Sequence, residues 1–542
     1  MKQLPKIIIL LILLLSNAYS KPSDKIILEN HELTKTEKSF FEDLDDGKLD
    51  SYSLYDAALI ASGLTSRKDF KKYKKILTKI KSSAMQHIAT LGTEDPYVIA
   101  KELLQWLHKN SLKKYTERAT ILTNIFNDGS FNCLSASVLY MLIAQDLDLN
   151  IVGVLAPEHA FCMLIDSRGN KDIETTVKYG FDPGKEEIEQ MKNETRTVYV
   201  PKQNYQDRAN IDIYHLIGML YSNRLGIRRP SEELVNEYFE NHLAKFKKAY
   251  YFYPESPVFL ENIVLALNNI ALKAINNQEY DYAFETINQG KQIEPDLENW
   301  NKLKIHYYNT NLINKKSELE FEKAIKIAKQ GLDEFPNNAM LKNNLTATYL
   351  DWAKELFENE QYTSAIDIYK TALIDLPNDL IVIKNIKTAY LKLSNIAYEN
   401  KNYEEAVEHI QNGLKEGGQD KEYDEILNNA LTNMQKAPLI DVYNNSVNLY
   451  NNKKYYDVIK VTDQALNTLT KDNEIYPKIL EINRTTKKTL KIDYYNSAIK
   501  KFNKRDYEAA HNLLKKALTF GQDKEIDSKI IELKKQVEKK LK

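Results

Sequence analysis

The sequence predicts an α+β core, one helix plus a small antiparallel sheet, with an N-terminal helical region before it and an all-α solenoid of helical hairpins after it. Three observations carry that prediction. An aromatic-x-x-small motif recurs at regular spacing through the second half of the 542 residues. Two short β-rich runs, IVGVLA and HAFCMLID, follow directly on a run with helical spacing. Finally, 35 tyrosines accompany 16 glycines and 14 prolines, which suits a helical chain whose aromatic packing positions repeat.

Residues 1–20 read as a secretory signal peptide. Lys2 and Lys6 flank the start, Ile7 to Leu15 is uninterrupted aliphatic, and Ala18-Tyr19-Ser20 has the small-x-small form of a cleavage site. That apolar run is far shorter than the ~20 residues needed to span a bilayer. No cysteine follows it to carry a lipid, and no later stretch reads as apolar enough to cross a membrane. The mature chain is therefore expected to be periplasmic or secreted and not membrane-spanning. Charge is balanced, 75 Lys+Arg against 76 Asp+Glu, so no field steers nucleic acid and no nucleic-acid partner is expected. Two cysteines are too few for a disulfide scaffold even in an oxidising compartment.

The repeats occupy residues 205–542. Tyr280/Ala283, Phe321/Ala324, Tyr362/Ala365 and Tyr403/Ala406 stand 41 residues apart, and Tyr455/Val458 and Tyr507/Ala510 follow at intervals of 52. Twelve residues after each of the first four small residues comes a helix stop: Pro295, Pro336, Pro377 and Gly418. One further step back finds Phe239 and Pro254 in register, so one more unit is expected there. The pattern resembles the tetratricopeptide repeat, two antiparallel helices meeting through a small residue, whose usual period is about 34. The excess residues approximate whole helical turns at about 3.6 each, so lengthened helices keep their apolar stripes facing their neighbours. Such a solenoid is a binding surface, and the partner it implies is a protein or peptide.

Residues 21–115 also read as helical. Val98, Leu103, Leu104, Trp106 and Leu107 have helical spacing after an Asp95-Pro96 start. Residues 67–81 are strongly basic, with Phe70, Tyr73, Leu77 and Ile80 on one side. That segment reads either as a solvated surface helix or as a face for anionic envelope polymers or lipid.

The chemistry is expected in residues 116–204. Cys133 opens the helical run FNCLSASVLY, His159 starts a strand, and Glu174 lies on the next, with Ser167 to Asn170 as the hairpin turn between them. A thiol becomes a nucleophile at a helix N-terminus beside an imidazolium, and the imidazole needs an acidic or amide partner to fix its tautomer. Cys133, His159 and Glu174 meet those requirements. Asp172, on the same strand face, competes with Glu174 for the orienting role. The Cys133 amide is the default oxyanion donor, with Asn127 and Asn132 as weaker candidates. Cys162, three positions after His159, is expected on the opposite face as a core thiol.

The run FNCLSASVLYMLIAQDLDLNIVGVLAPEHAFCMLID, with DIETTVKYGFDPG after it, resembles the transglutaminase-like superfamily, in particular exported bacterial members that carry tetratricopeptide repeats after the core. The closest likeness covers about residues 90–190. It implies a papain-like arrangement with Cys133 as nucleophile, His159 as base and acid, and Glu174 where many relatives have Asp. It implies either an enzyme acting on amide bonds through a thioacyl intermediate or a retained fold serving as a non-catalytic cell-envelope scaffold. With no Cys-x-x-Cys and no His-Glu-x-x-His, neither a metal nor a cofactor is expected.

Overall fold

The computed structural model describes residues 24–156, 159–195, 208–223, 235–416, 418–471 and 473–542. The expected signal peptide, and Pro157 and Glu158 between the two β-rich runs, lie outside the described residues. The chain divides into two compact units, residues 1–311 and 312–542.

The first unit is organised around one helix. Four helices come first: α1 (Lys35–Asp43), α2 (Leu54–Ala61), α3 (Arg67–Ala89) and α4 (Pro96–Asn110). Three of them begin with a side-chain cap, Thr34, Ser53 or Ser66, that accepts the N–H of the third helical residue. Asp95 caps α4 ahead of Pro96, the start read from the sequence. Next come β1 (Lys114–Tyr115), α5 (Leu122–Asp128), β2 (Ser130–Phe131) and α6 (Cys133–Gln145). Every residue of α6 from Leu134 to Ala144 is buried, as a helix without a polar face must be. Helices α2, α3, α4 and α5 pack on it.

The sheet covers α6 as well. Strands β3 (Ile151–Ala156), β4 (His159–Leu164) and β5 (Lys171–Ile173) form an antiparallel series. The two β-rich runs of the sequence are thus strands, with Ala156 opposite His159 and Cys162 flanked by Gly153 and Ile173. The third strand is shorter than expected, so Glu174, read from the sequence as lying on it, falls just past its end.

One expectation is overturned here. Residues from 205 onward were expected to hold helical hairpins and no strand. After α7 (Lys185–Thr195), strand β6 (Ala209–Ile211) pairs antiparallel with Gly153 to Leu155 of β3, giving the order β5-β4-β3-β6. It supplies hydrogen bonds to backbone that β3 would otherwise leave open at an edge. Three residues are too few for a period-two pattern to be read. The following helix, α8 (Ile213–Asn223), buries Ile213, Leu216, Ile217, Leu220 and Tyr221 and packs on α6 and β3. The sheet and its cover therefore run past residue 204.

A second correction concerns α10. After α9 (Val235–Phe252), helix α10 (Pro257–Asn276) is long and apolar enough by composition to cross a membrane, at a mean hydropathy of 1.5, where no such stretch was expected. It packs between α9 and α11 (Tyr280–Ile293), burying Phe259, Ile263, Leu267, Ile270 and Ile275. A third concerns Phe239. It lies within α9 rather than opening a helix, and the helix before it belongs to the cover of α6.

From α10 on, helices pair. The remainder are α12 (Glu298–Ser317), α13 (Phe321–Glu334), α14 (Ala339–Glu358), α15 (Tyr362–Asp375), α16 (Leu380–Glu399), α17 (Tyr403–Glu416), α18 (Lys421–Asn451), α19 (Tyr455–Thr468), α20 (Tyr476–Asn503), α21 (Tyr507–Ala517) and α22 (Lys524–Leu541). Each aromatic of the repeated motif is the first residue of its helix. The small residue three positions on, Ala283, Ala324, Ala365, Ala406, Val458 or Ala510, is fully buried, which lets paired helices approach closely. The longer period comes from the first helix of the pair. Helix α18 has 31 residues against 20 in α16, eleven more, or about three turns.

The turn inside each pair has one geometry. Gln278, Leu319, Glu360, Lys401, Lys453 and Arg505 all have φ between 59° and 65°. In the turn at 360, the N–H of Glu360 reaches Phe357 O at 3.1 Å and that of Gln361 reaches Leu356 O at 2.9 Å, and the same pair of bonds recurs in the other five. This is the Schellman closure, whose left-handed residue is usually glycine. None of the six is glycine, so each carries the steric cost of a Cβ in that region. Leu319→Gly and Glu360→Gly are expected to stabilise the chain by up to about 1 kcal/mol each. Thermal unfolding of the single variants and of the pair checks this, and a loss of stability would refute the turn geometry.

Candidate active site

Cys133 is the first residue of α6 because Asn132 caps it. The Asn132 Oδ1 accepts the N–H groups of Leu134 (3.1 Å) and Ser135 (3.0 Å), and its Nδ2 donates to Glu117 O at 3.0 Å. The cap thus spends its own donors on structure and leaves the Cys133 N–H outside the pair it accepts. Asn127 is taken too, since its Oδ1 accepts the Tyr73 hydroxyl at 2.7 Å. Both asparagines are thus held in the fold, Asn132 through its oxygen and its amide nitrogen and Asn127 through its oxygen, and neither is among the groups that pair with His159.

His159, at the head of β4, is buried and its Nε2 lies 2.6 Å from Glu174 Oε2. The ring stacks on Phe161, with centroids 5.8 Å apart. The second Glu174 oxygen, Oε1, accepts the Thr176 N–H at 3.0 Å and the Thr176 hydroxyl at 2.6 Å. Both carboxylate oxygens are therefore engaged, one by the imidazole and one by the turn that follows.

That turn is fixed from several sides. The Glu174 N–H donates to Gly180 O at 2.8 Å. A Cβ on Gly180 would sit 2.0 Å from the Glu174 carbonyl oxygen, so only glycine fits. Thr175 shares a hydrogen bond with Ser137 of α6 at 2.8 Å, and His108 of α4 holds Thr175 O at 3.0 Å. Burial lowers the His108 pKa to about 4, so at neutral pH it is an uncharged donor to that carbonyl.

The rivalry between Glu174 and Asp172 has a geometric answer. Asp172 is engaged by Arg208, with Nη2 to Oδ1 at 2.6 Å and Nη1 to Oδ2 at 3.0 Å. Glu174 is the acid that meets His159.

Electrostatics follow from this packing. Burial alone would favour the neutral forms of both His159 and Glu174. At His159 the Glu174 carboxylate and the Cys133 thiol outweigh it and raise the imidazole above its ordinary value. At Glu174 the His159 charge and the Thr176 hydrogen bonds outweigh it and hold the carboxyl below the usual range. Cys133 is near enough to add to that balance, yet the remaining ring nitrogen, Nδ1, is buried without a hydrogen-bond partner. Cys133 itself is partly exposed.

Cys162 is separate from this chemistry. It is fully buried, its thiol reaches Ser137 O at 3.7 Å, and burial pushes its pKa up to about 12. Both cysteines are free thiols.

Cys133 and His159 line a cavity of about 240 Å³ with Leu134, Leu155, Ala156 and Met219. Thr120 and Asn223 also reach it and are tied together, the Thr120 hydroxyl donating to Asn223 O at 2.8 Å. The sequence reading missed these two residues and Met219, because Met219 and Asn223 lie on α8, a segment assigned to the repeats. It also missed Thr176, whose backbone N–H and hydroxyl hold Glu174. Among the described residues no cluster of His, Cys, Asp and Glu has the form of a metal site.

No protein-family model matches the chain, and no curated protein does. Solved structures do match. A tetratricopeptide repeat protein from Parabacteroides merdae is 15% identical with a TM-score of 0.16, over 51% of this chain and 98% of that one. The tetratricopeptide domain of P58(IPK) is 13% identical with a TM-score of 0.15, over 57% and 96%. A human IFIT1 dimer with m7Gppp-AAAA is 12% identical with a TM-score of 0.13, over 94% and 87%. Likeness of this order says nothing about the partners or chemistry of this chain. The repeat type is that of its own hairpins.

Two outcomes test the site. Thr176→Val removes a hydroxyl bond to a buried carboxylate and is expected to cost about 1.5–3 kcal/mol, while Thr176→Ser costs much less; chemical denaturation reads both. The second is a pH dependence. His159 is raised, so its share of the pair's stability is full below the ordinary imidazole value of ~6.5 and is lost as pH climbs through the raised one. Glu174 is lowered, so its share is present above the ordinary carboxylate value of ~4.3 and is lost as pH falls through the lowered one. The stability gap between wild type and Glu174→Gln should therefore be widest between those two ordinary values and close on the alkaline side.

Proposed function

We propose that the chain is a cysteine-dependent enzyme of transglutaminase-like type, acting on amide bonds of a protein or peptide through a thioacyl intermediate. The observation that carries this reading is the convergence of Cys133, at the start of a buried helix, and His159, paired with a doubly held Glu174, on one cavity.

The reaction follows from those groups. The Cys133 proton passes to His159, and the thiolate attacks the amide carbonyl carbon to give a tetrahedral oxyanion. The Cys133 N–H at the helix start stands as a donor to that oxygen. As the C–N bond breaks, the imidazolium gives its proton to the leaving amine, and a thioester remains on Sγ. Water then attacks with His159 as base, the carboxylate leaves and the thiol is restored; an amine in place of water would give acyl transfer. Glu174 stabilises the imidazolium throughout and does not itself change protonation. Water needs no dedicated amine pocket, which favours hydrolysis. The solenoid would recruit the protein or peptide substrate, or a partner. With a leader removed near Ser20 the enzyme would work in the periplasm or outside the cell, in association with the cell envelope.

The test is alkylation. Iodoacetamide at pH 6 is expected to modify Cys133 faster than a free cysteine, and His159→Ala to slow that reaction at least tenfold while the fold persists. Glu174→Gln should slow it less, and Cys162→Ser should leave it unchanged. Peptide mapping of the labelled cysteine is the readout. Labelling no faster than free cysteine and indifferent to His159→Ala would make Cys133 a packing residue and leave the core a binding domain, with the solenoid as the working part of a scaffold.

A further inference from the structure

Helix α3 carries a charge that the fold does not use. It holds one acid, Asp69, which accepts the Ser66 hydroxyl at 2.7 Å at the helix start. Two of its lysines are paired with neighbouring elements, Lys74 with Asp56 at 2.7 Å and Lys81 with Asp146 at 2.8 Å. Lys68, Lys71, Lys72, Lys75 and Lys79 are exposed, and among the described residues none of them meets a carboxylate. Their spacing puts them along one face, over about 16 Å of helix. In a chain of net charge −1, five cations on one helix face that meet no carboxylate are a local concentration rather than a reflection of composition.

From this face we infer a docking site for an anionic lipid surface. Charge complementarity requires an anionic partner, and three observations favour a plane over a polymer. The shallow depression beside the lysines is lined by α3 residues alone, so no second element walls a groove in which a strand could lie. The cations of the row are lysines, hydrated point charges suited to a diffuse field rather than forks that grip one phosphate. The apolar face of α3, Tyr73, Leu77, Ala84 and Ile88, is buried in the fold, so the helix adheres without inserting. Binding is therefore electrostatic, reversible and weakened by salt.

The inference is independent of the chemistry at Cys133. Its test is sedimentation of the full mature chain with vesicles of phosphatidylcholine alone or mixed with phosphatidylglycerol. Binding is expected only to the mixed vesicles and should be lost at high salt. Each lysine near such a surface contributes about fivefold in partitioning, so Lys71→Gln with Lys75→Gln should weaken binding roughly 30-fold, with circular dichroism unchanged because both side chains are exposed and unpaired. Equal binding to neutral vesicles, or no effect of the double variant, would overturn the proposal. So would capture by soluble polyphosphate without any by vesicles, which would assign the face to a polymer.

Discussion

The first unit depends on the burial of α6 from Leu134 to Ala144. A helix with no polar face cannot lie on a surface, so it must be enclosed, and the unit is the means of enclosing it. The sheet covers one side; α2, α3, α4, α5 and α8 cover the others. The start of that helix is then held twice, by the Asn132 cap and by the Ser137–Thr175 bond that links its first turns to the turn after β5. Cys133 and Glu174 take their places from the same packing. The site is a by-product of how the helix is kept dry, which is why its supports lie on α4, α8 and the 174–180 turn rather than near it in sequence.

Much of this was legible in the chain. The cysteine at a helix start, the two β-rich runs and the order Cys133, His159, Glu174 were all read, and His159 and Glu174 do pair. The hairpin positions were legible because sterics enforce them, since a residue packed between two helices must be small and the aromatic must open the second helix. What could not be read was decided by tertiary partners. Asp172 and Glu174 are indistinguishable in sequence until Arg208, 36 residues on, takes one of them. Strand β6 is three residues long and exists because β3 has an edge to fill. Helix α10 is apolar where α9 and α11 pack against it, but Val258, Leu265 and Leu272 are exposed, and composition alone cannot tell such a helix from a membrane span.

In the first unit long-range polar contacts matter, such as Lys248 with Glu37 at 3.0 Å, both nearly excluded from solvent. Among the hairpins a closed turn, a buried small residue and an aromatic on its neighbour recur, as where Phe357 meets Tyr362 edge-on at 4.8 Å, and buried Lys387 and Lys491 pair with Asp424 and Asp527 of the following repeat. A repeat whose contacts run only to its immediate neighbours tolerates insertion of whole turns, and the jump from 20 to 31 residues in its first helix is such a case.

The left-handed turns bear on how the repeats unfold. Each closes over three residues, between helices adjacent in sequence, so the loop to be closed is short and the entropy lost in forming a hairpin is small. Stability in such an array is a sum over neighbours rather than a property of one core. The hairpins should therefore melt in stages, beginning with those that have a neighbour on one side only. A single midpoint temperature would then average several transitions and describe none of them.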